Sequence, residues 1–451
     1  MKKFVFTTSV LIFFFFKGYT QETYGLKDLL QLAEKNYPSI ASKKALTQAA
    51  AKGIAIQKNT IVPSFDAAYQ TDYATYNNIT GMAYPQYIVP ISGPPSTNNN
   101  YKGVFGSAAS LFLNWQPITF GLRKSQVNLA KENYQLSLAD ENNTLYQLEL
   151  NVISTWLNIT YTDELLKVYQ ENIQRIQTQL KQITALVKSG IRPGADTSLF
   201  QAELSKGNID LYNLQLYRTQ QKNNLAELAG VSQLNVITDS LLAKELPVFN
   251  IPDSNRIHPL IQYDEQLIRL QQANKTAIQK SAMPKLNVWS TAYSRGSGIK
   301  YDGTIKSIDG FNLSRYNYGV GLQLSFPIFQ FTYTRLQVQQ QDALIQNYQS
   351  QLQLVQLQLS TDSLNAEEGI NNALRVVKET PFQLNAATVA YKSTLSRYNA
   401  GLASFADLIQ TLYALIQAET SVKQAYLNVW KALLQQSAAS GNINTFLNQV
   451  K

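Results

Sequence analysis

The sequence contains no cysteine, one histidine, few charged side chains and no long apolar run after its first residues. The absence of cysteine excludes disulfide scaffolds, thiolate metal sites, cysteine nucleophiles and a lipid attached to an N-terminal cysteine. The single histidine, His258, cannot supply a multi-histidine metal site or a histidine relay. It precedes Pro259 at a predicted helix entry, which favours a structural role. We therefore expect no metal, no cofactor and no catalytic residue, and the sequence does not predict an enzyme.

Charged residues make up 15% of the 451 residues, whereas 45% are hydrophobic. A soluble domain has roughly 25% charged residues. The formal net charge is +9, but the basic residues are scattered and do not alternate with aromatic side chains. Nucleic-acid binding is therefore not expected. After the N-terminus no segment approaches 18 consecutive apolar residues, so no transmembrane helix is predicted.

The first twenty residues have the composition of an export signal. Two lysines precede an apolar core, Phe4–Phe16, and small residues precede a plausible cleavage site before Gln21. The apolar core is shorter than the ~20 residues that a membrane-spanning helix needs. We expect residues 1–20 to be a signal peptide and the mature chain to be exported.

The mature chain contains an internal repeat. The segment that starts at Leu111 corresponds to the segment that starts at Leu322, and the same offset of 211 residues aligns later landmarks without a gap. The aligned pairs are Trp115 with Phe326, Gly190 with Gly401, Asp196 with Asp407, and Gly230 with Gly441. A fixed offset that aligns glycine and aspartate is not expected by chance. We predict a first structural repeat at 21–240 and a second at 241–451.

Each repeat is predicted to contain two strands, a long helix and a return helix. Alternating apolar and polar residues indicate the strands. The lack of Gly and Pro from Leu122 to Ser189 indicates a helix of roughly 100 Å, and its apolar residues recur at spacings of three and four, as in a coiled coil. Pro381 is expected to kink or restart the second long helix. The predicted bounds are strands near 62–76, 104–117, 284–294 and 316–327, long helices at 122–188 and 332–399, and return helices at 196–230 and 404–441.

The strands favour a membrane protein. Segments of about ten residues with alternating faces, aromatic ends and long polar loops, such as 77–100, are typical of a transmembrane β-barrel. A soluble sandwich would show the same alternation. Four strands cannot close around a lumen, and an open sheet edge is not tolerated in lipid. Several copies of the chain are therefore expected to share one barrel in contact with membrane lipid.

These features resemble the TolC family of outer-membrane efflux proteins. The resemblance covers nearly all of the mature chain. It rests on the repeat, on the strand exits Trp115-Gln-Pro117 and Phe326-Pro327, and on the paired motifs Val187–Asp196 and Tyr398–Asp407. It implies a homotrimer in which a twelve-stranded β-barrel in the outer membrane continues into a coiled-coil α-barrel in the periplasm. It also implies a passive exit channel that serves an efflux pump or a type I secretion system, with a periplasmic adaptor protein and an inner-membrane pump as partners.

The resemblance assigns roles to the paired motifs. In the family, the helical hairpins close the tunnel with a ring of carboxylates and a network of tyrosine, arginine and aspartate. This chain departs from the pattern at two positions, because Ala403 replaces the network arginine and Gln410 replaces the inner acid of the ring. Arg192 occupies the arginine's position in the first hairpin. The residues expected at the periplasmic gate and constriction are Asp407, Asp196, Tyr398, Arg192 and Gln410, with hinge turns at Gly190 and Gly401.

Alternatives accompany these assignments. Asp196 and Asp407 could be helix caps or first-turn acids, a role that is compatible with a position at a pore. Trp115 and Phe326 are expected at the membrane interface, with core packing as the alternative. For the whole protein, the alternatives are a periplasmic coiled-coil structural or adaptor protein without a pore, and an uptake porin.

Overall fold

The computed structural model describes residues 23–75, 77, 96, 98–249 and 257–450. The predicted signal peptide, 1–20, and most of the predicted loop at 77–100 lie outside the described residues. The chain divides into two compact units. The sheet unit comprises Lys44–Asp140 and Gln262–Leu354, and the helical unit comprises the rest of the chain.

Both halves of the chain follow the order helix, strand, strand, long helix, return helix. The first half contains β1 (Thr23–Tyr24), α1 (Leu26–Asn36), α2 (Pro38–Asn59), β2 (Ser64–Ala74), β3 (Val104–Ile118), α3 (Leu122–Lys188) and α4 (Gly194–Leu228). The second half contains β4 (Asn235–Val236), α5 (Pro259–Ser281), β5 (Lys285–Ser297), β6 (Arg315–Ser325), α6 (Gln330–Asn399), α7 (Phe405–Ala439) and α8 (Asn444–Leu447). Short 3₁₀ helices lie at Ser240–Ala243 and Ser307–Phe311. The described residues are therefore mostly helical.

The sheet unit is built on one antiparallel sheet of four strands in the order β2-β3-β5-β6. The register between β3 and β5 shifts after the pair Trp115 and Val288, where Pro117 cannot donate a ladder hydrogen bond. Within the described residues, β2 and β6 each pair on one side only. The sheet therefore has two open edges.

The alternation of each strand is in register across all four strands, because paired residues of neighbouring strands point to the same face. One face is mostly apolar, and the other is mixed, since it carries polar side chains together with Phe112, Trp289 and Tyr293. The apolar face carries Phe65, Tyr69, Leu111, Leu113, Val288, Tyr318, Val320 and Leu322, and the polar face carries Asp66, Gln70, Asn114, Thr291, Asn317 and Gln323. The sequence predicts this two-sided character clearly for β2 and β6, whereas Phe112 interrupts the alternation in β3 and β5 alternates less cleanly.

Two glycines of β6 make room for a tryptophan on the polar face. A Cβ atom on Gly321 would lie 2.6 Å from the Trp289 ring, and one on Gly319 would lie 3.3 Å from it. Real Cβ atoms essentially never approach to 2.6 Å and rarely to 3.3 Å, so the indole ring occupies the space that the glycines leave open. This close approach explains why the β6 face opposite the apolar side chains contains glycine.

The core of the helical unit lies between α1, α3, α7 and α8. It includes Trp156 and Trp430, whose indole nitrogens donate to the carbonyl oxygens of Ile237 and Glu245 at 3.0 and 3.2 Å. The buried residues of the predicted coiled-coil stripe are Leu148, Val152, Ile159, Thr162, Ile173, Ile176 and Ile183. Among the described residues, no helix combines the length and the apolar character that crossing a membrane requires.

Pro381 does not restart the second long helix, so that part of the prediction is wrong. Helix α6 continues through Pro381 without interruption. A proline cannot donate to the carbonyl four residues earlier, which here belongs to Val377. The Thr380 hydroxyl donates to the Val377 carbonyl oxygen at 3.2 Å instead. The neighbouring side chain therefore satisfies the acceptor that the proline leaves unpaired.

His258 is a buried structural residue at the start of α5. Its Nδ1 accepts a hydrogen bond from the Leu260 backbone amide at 3.1 Å, and its Nε2 lies 3.1 Å from the Ala438 carbonyl oxygen. The ring also packs edge-on against Tyr146, with 5.3 Å between centroids. Burial is the main cause that lowers the pKa of His258. The histidine thus caps α5 and joins it to the end of α7.

Candidate functional site at the two hairpin turns

The two long helices end in turns of the same geometry. Gly190 and Gly401 adopt positive φ angles of 73° and 80°, which L residues with a side chain rarely adopt. Ile191 donates its amide hydrogen to the Leu186 carbonyl oxygen at 2.9 Å, and Gly190 donates to Val187 at 3.0 Å. The turn at Gly401 has the equivalent two hydrogen bonds. Both are Schellman motifs, which explains why glycine occupies matched positions in the repeat.

Arg192, Asp196 and Tyr398 meet where the two turns come together in the helical unit. The Tyr398 hydroxyl donates to Oδ2 of Asp196 at 3.0 Å. Nη1 of Arg192 lies 3.7 Å from the same oxygen, and its guanidinium carbon lies 4.4 Å from the centroid of the Tyr398 ring. The guanidinium also donates to the Tyr398 carbonyl oxygen. The first hairpin therefore holds the end of α6 through an ion pair, hydrogen bonds and a cation–π contact.

Tyr398 is the most deeply buried member of this cluster, with 1% of its surface exposed. Its ring packs edge-on against Phe200 of α4, with 6.0 Å between centroids, and Phe200 packs in the same way against Phe405 of α7 at 4.9 Å. Burial raises the pKa of Tyr398 to about 12, and the hydrogen bond to Asp196 contributes in the same direction. The tyrosine therefore stays neutral at physiological pH and acts as a donor to the carboxylate.

Asp407 lies apart from this cluster, in the exposed first turn of α7. Its Oδ2 accepts hydrogen bonds from the Ser404 amide at 2.9 Å and the Ser404 hydroxyl at 2.7 Å, while the Asp407 amide donates to Ser404 Oγ at 3.1 Å. The Ser404 side chain, followed by its backbone, lowers the pKa of Asp407. These contacts form a capping box. Asp407 thus has the capping geometry and remains open to solvent, as does Gln410 one turn later.

A second contact joins the return helices α4 and α7, and it was not predicted from the sequence. The Tyr413 hydroxyl donates to the Glu203 carboxylate at 2.6 Å and accepts from the Lys206 ammonium at 2.8 Å. The same ammonium lies 4.1 Å from the Tyr413 ring centroid. Glu203 and Lys206 are three residues apart on α4, and this spacing is the local feature of the sequence that relates to the contact. The partner on α7 could not be inferred from it.

The aromatic residues at the strand exits differ in their surroundings. Nε1 of Trp115 donates to the Ile61 carbonyl oxygen at 2.8 Å, and the ring is partly exposed. Phe326 follows β6 directly and is exposed. Neither side chain belongs to the buried core of the described residues.

Comparisons with known proteins agree with this architecture. Residues 29–231 match the family described as "Outer membrane efflux protein". A comparison with curated proteins found no match.

Three solved structures illustrate the similarity in fold. The Vibrio cholerae outer membrane protein VceC is 14% identical, with 92% of this chain and 96% of that chain covered and a TM-score of 0.72. The Campylobacter jejuni CmeC outer membrane channel is 14% identical, with 92% and 85% covered and a TM-score of 0.71. The open state of the Neisseria gonorrhoeae MtrE outer membrane channel is 18% identical, with 92% and 89% covered and a TM-score of 0.68.

The three solved structures have low sequence identity to this chain, so they establish only its fold. The family match, in contrast, is a match of the amino-acid sequence. The matched family consists of outer-membrane efflux proteins rather than enzymes. The predicted resemblance to the outer-membrane efflux family is therefore confirmed for residues 29–231, and the solved structures confirm the fold.

Proposed function

We propose that three copies of this chain form a passive exit channel in the outer membrane. The observation that carries the proposal is a single antiparallel sheet with an exposed apolar face and two open edges. Four strands are too few to enclose a lumen, and unpaired edges are not tolerated in lipid. Pairing β2 of one copy with β6 of the next would remove every open edge. Three copies would then supply twelve strands.

The two faces of the sheet suit the two sides of such a barrel wall. On the apolar face, Tyr318 is 92% exposed, Val320 is 76% exposed and Leu322 is 73% exposed. Side chains of this kind are stable against lipid but unfavourable in water. The opposite face carries amide and carboxylate side chains, including Gln70 and Asn317, which suit a water-filled interior.

The cluster of Arg192, Asp196 and Tyr398 would hold the channel closed. Opening requires the first hairpin to separate from the second, which breaks the contacts of Tyr398 with Asp196 and Arg192. Asp407 and Gln410 would line the constriction, where three-fold symmetry turns one exposed carboxylate into three. Such a ring concentrates negative potential and favours cations. The turns at Gly190 and Gly401 would act as hinges.

The channel would work with an inner-membrane pump and a periplasmic adaptor protein that docks on the hairpin turns. An efflux pump and a type I secretion system both need such an exit. The channel would perform no chemistry and would bind no cofactor, and the pump would supply the energy.

Single-channel recording in planar bilayers tests the proposed gate. The double variant Tyr398→Phe with Arg192→Ser removes the hydroxyl and the guanidinium that join the hairpins, so its conductance is expected to exceed that of the wild type. Tyr391→Phe is the matched control, because Tyr391 lies on the same helix, is also buried and makes no hydrogen bond among the described residues.

Two results would count against the proposal. Unchanged conductance of the double variant, or an equal increase in Tyr391→Phe, would remove the gate assignment. A full-length processed protein that stays in solution as a monomer without detergent would instead support a periplasmic structural protein without a pore.

A further inference from the structure

A basic cavity lies where the strands of the sheet unit meet the helices. Its volume is about 820 Å³. Five of the residues that line it are cationic, and none is acidic: Lys58 of α2, Arg123, Lys124 and Lys131 of α3, and Lys280 of α5. Three helices therefore direct positive charge toward one space.

These five cations have no carboxylate partners among the described residues, since no salt bridge involves any of them. Lys275, five residues before Lys280 on α5, shows the contrast, because its ammonium lies 2.5 Å from the Asp342 carboxylate. Unneutralised cations that share a cavity repel one another and favour an anionic occupant.

Arg123 is held in place by backbone carbonyl groups. Its guanidinium donates to the carbonyl oxygens of Pro117 at 3.3 Å and Thr60 at 3.4 Å, and also to that of Gln116. The Arg123 amide donates to Thr119 Oγ1 at 3.1 Å at the start of α3. The charge is thus fixed beside the positive end of a long helix, where anions are favoured.

Exposed apolar residues adjoin the basic cavity. Ile61 lines the cavity and is exposed, and the exposed residues Ile118, at the end of β3, and Phe120, between β3 and α3, flank its lining residue Thr119. A free inorganic anion would make no use of these side chains. A charged head group attached to a hydrocarbon chain would contact both surfaces at once.

The second repeat does not reproduce the basic cavity. The positions equivalent to Lys58, Arg123, Lys124 and Lys131 are occupied by Gln279, Thr334, Arg335 and Asp342. The cluster is therefore not a by-product of the duplication. Four of its five cations belong to the first repeat, and Lys280 comes from the second.

We infer that the basic cavity binds the phosphate group of an anionic phospholipid at the periplasmic surface of the outer membrane. The inference rests on the proposed function in one respect, because the channel places the strand ends at that surface. The lysines contact the phosphate, and Ile61 and Phe120 contact the start of the acyl chains. Basic pockets at membrane surfaces bind anionic head groups in this way.

The test measures lipid binding to the full-length assembly purified in a non-ionic detergent, by native mass spectrometry. The probes are phosphatidylglycerol, phosphatidylcholine and inorganic phosphate. The test variant combines Lys124→Gln with Lys131→Gln. The control variant combines Lys275→Gln with Arg335→Gln, which removes the same charge from the same unit outside the cavity.

Phosphatidylglycerol is expected to bind the wild type and the control variant alike. The test variant should bind it at least tenfold more weakly, since one lysine near an anionic surface contributes about a fivefold change. Phosphatidylcholine and inorganic phosphate should bind the wild type more weakly than phosphatidylglycerol.

Three outcomes would overturn the inference: equal weakening in both variants, unchanged affinity in the test variant, or inorganic phosphate that binds as tightly as the lipid.

Conductance recorded from the same preparations separates the two proposals. If the protein binds phosphatidylglycerol but neither the wild type nor the double variant Tyr398→Phe with Arg192→Ser conducts, the channel is refuted and the lipid site is kept. A protein that conducts but does not bind would refute the lipid site alone.

Discussion

Glu149 of α3 makes the stability of the helical unit depend on pH. Burial raises the pKa of its carboxyl group from 4.5 to about 7, and the nearby charge of Glu34 on α1 contributes in the same direction. The folded protein therefore binds this proton more tightly than the unfolded chain does. A protein with such a group loses stability as pH rises from the unfolded-state pKa to the folded-state pKa.

The size of the effect follows from the two pKa values. A change from 4.5 to about 7 corresponds to about 3 kcal/mol of destabilisation above pH 7 when no screening acts. The side chain is only partly buried, so solvent screening reduces this figure to about 1–2 kcal/mol. Below pH 4.5 the carboxyl group is mostly protonated in both states, and its contribution disappears.

Glu149→Gln removes the titration and keeps nearly the same shape. The variant is expected to be about 1–2 kcal/mol more stable than the wild type at pH 8, and equally stable near pH 4.5. Unfolding midpoints measured by differential scanning fluorimetry in detergent at both pH values check this. Glu171→Gln is the matched control, since Glu171 lies exposed on the same helix and its side chain forms no ion pair in the described part of the chain.

The reasoning would be refuted by a stability difference between Glu149→Gln and the wild type that is the same at both pH values. A pH-dependent gain of equal size in Glu171→Gln would also refute it, because the effect would then reflect net charge rather than burial.

Three further predictions concern the hairpin turn, the sheet and the capping box. Gly401→Ala places a methyl group at φ 80° with nothing within 4 Å, so backbone strain alone should lower stability by about 1–2 kcal/mol; an unchanged unfolding midpoint would contradict this. Gly321→Val should lower the yield of folded protein through its clash with Trp289, and adding Trp289→Ala should restore the yield unless the packing is misassigned. Asp407→Asn should reduce cation preference, measured as the reversal potential in a KCl gradient, while Ser404→Ala should lose ~1 kcal/mol of capping and keep that preference. Equal loss of preference in both variants would leave Asp407 with a capping role only.

Several features could be predicted from the sequence because they depend on local chemistry. Glycine is the residue that a left-handed turn requires, so Gly190 and Gly401 indicate where the long helices end. Alternation over a single strand is enough to define its two faces, as in Tyr318, Val320 and Leu322. These features depend on residues that are close together in the chain.

Other features depend on residues that are far apart. The Tyr398 hydroxyl donates to Asp196 across 202 residues of sequence, in a position where the tyrosine ring packs against Phe200, which in turn packs against Phe405. The helix continues through Pro381, because the Thr380 hydroxyl satisfies the buried Val377 carbonyl group that the proline leaves unpaired, a contact that propensity arguments do not include.

The sequence by itself determined the repeat, the order of its elements, the two-sided strands and the resemblance to outer-membrane efflux proteins, because each is written in composition, spacing or local periodicity. Only the tertiary structure decided which side chains meet at the hairpin turns, and that three helices bring unpaired lysines to one cavity. Such contacts join positions up to about 200 residues apart, and packing rather than local pattern selects them.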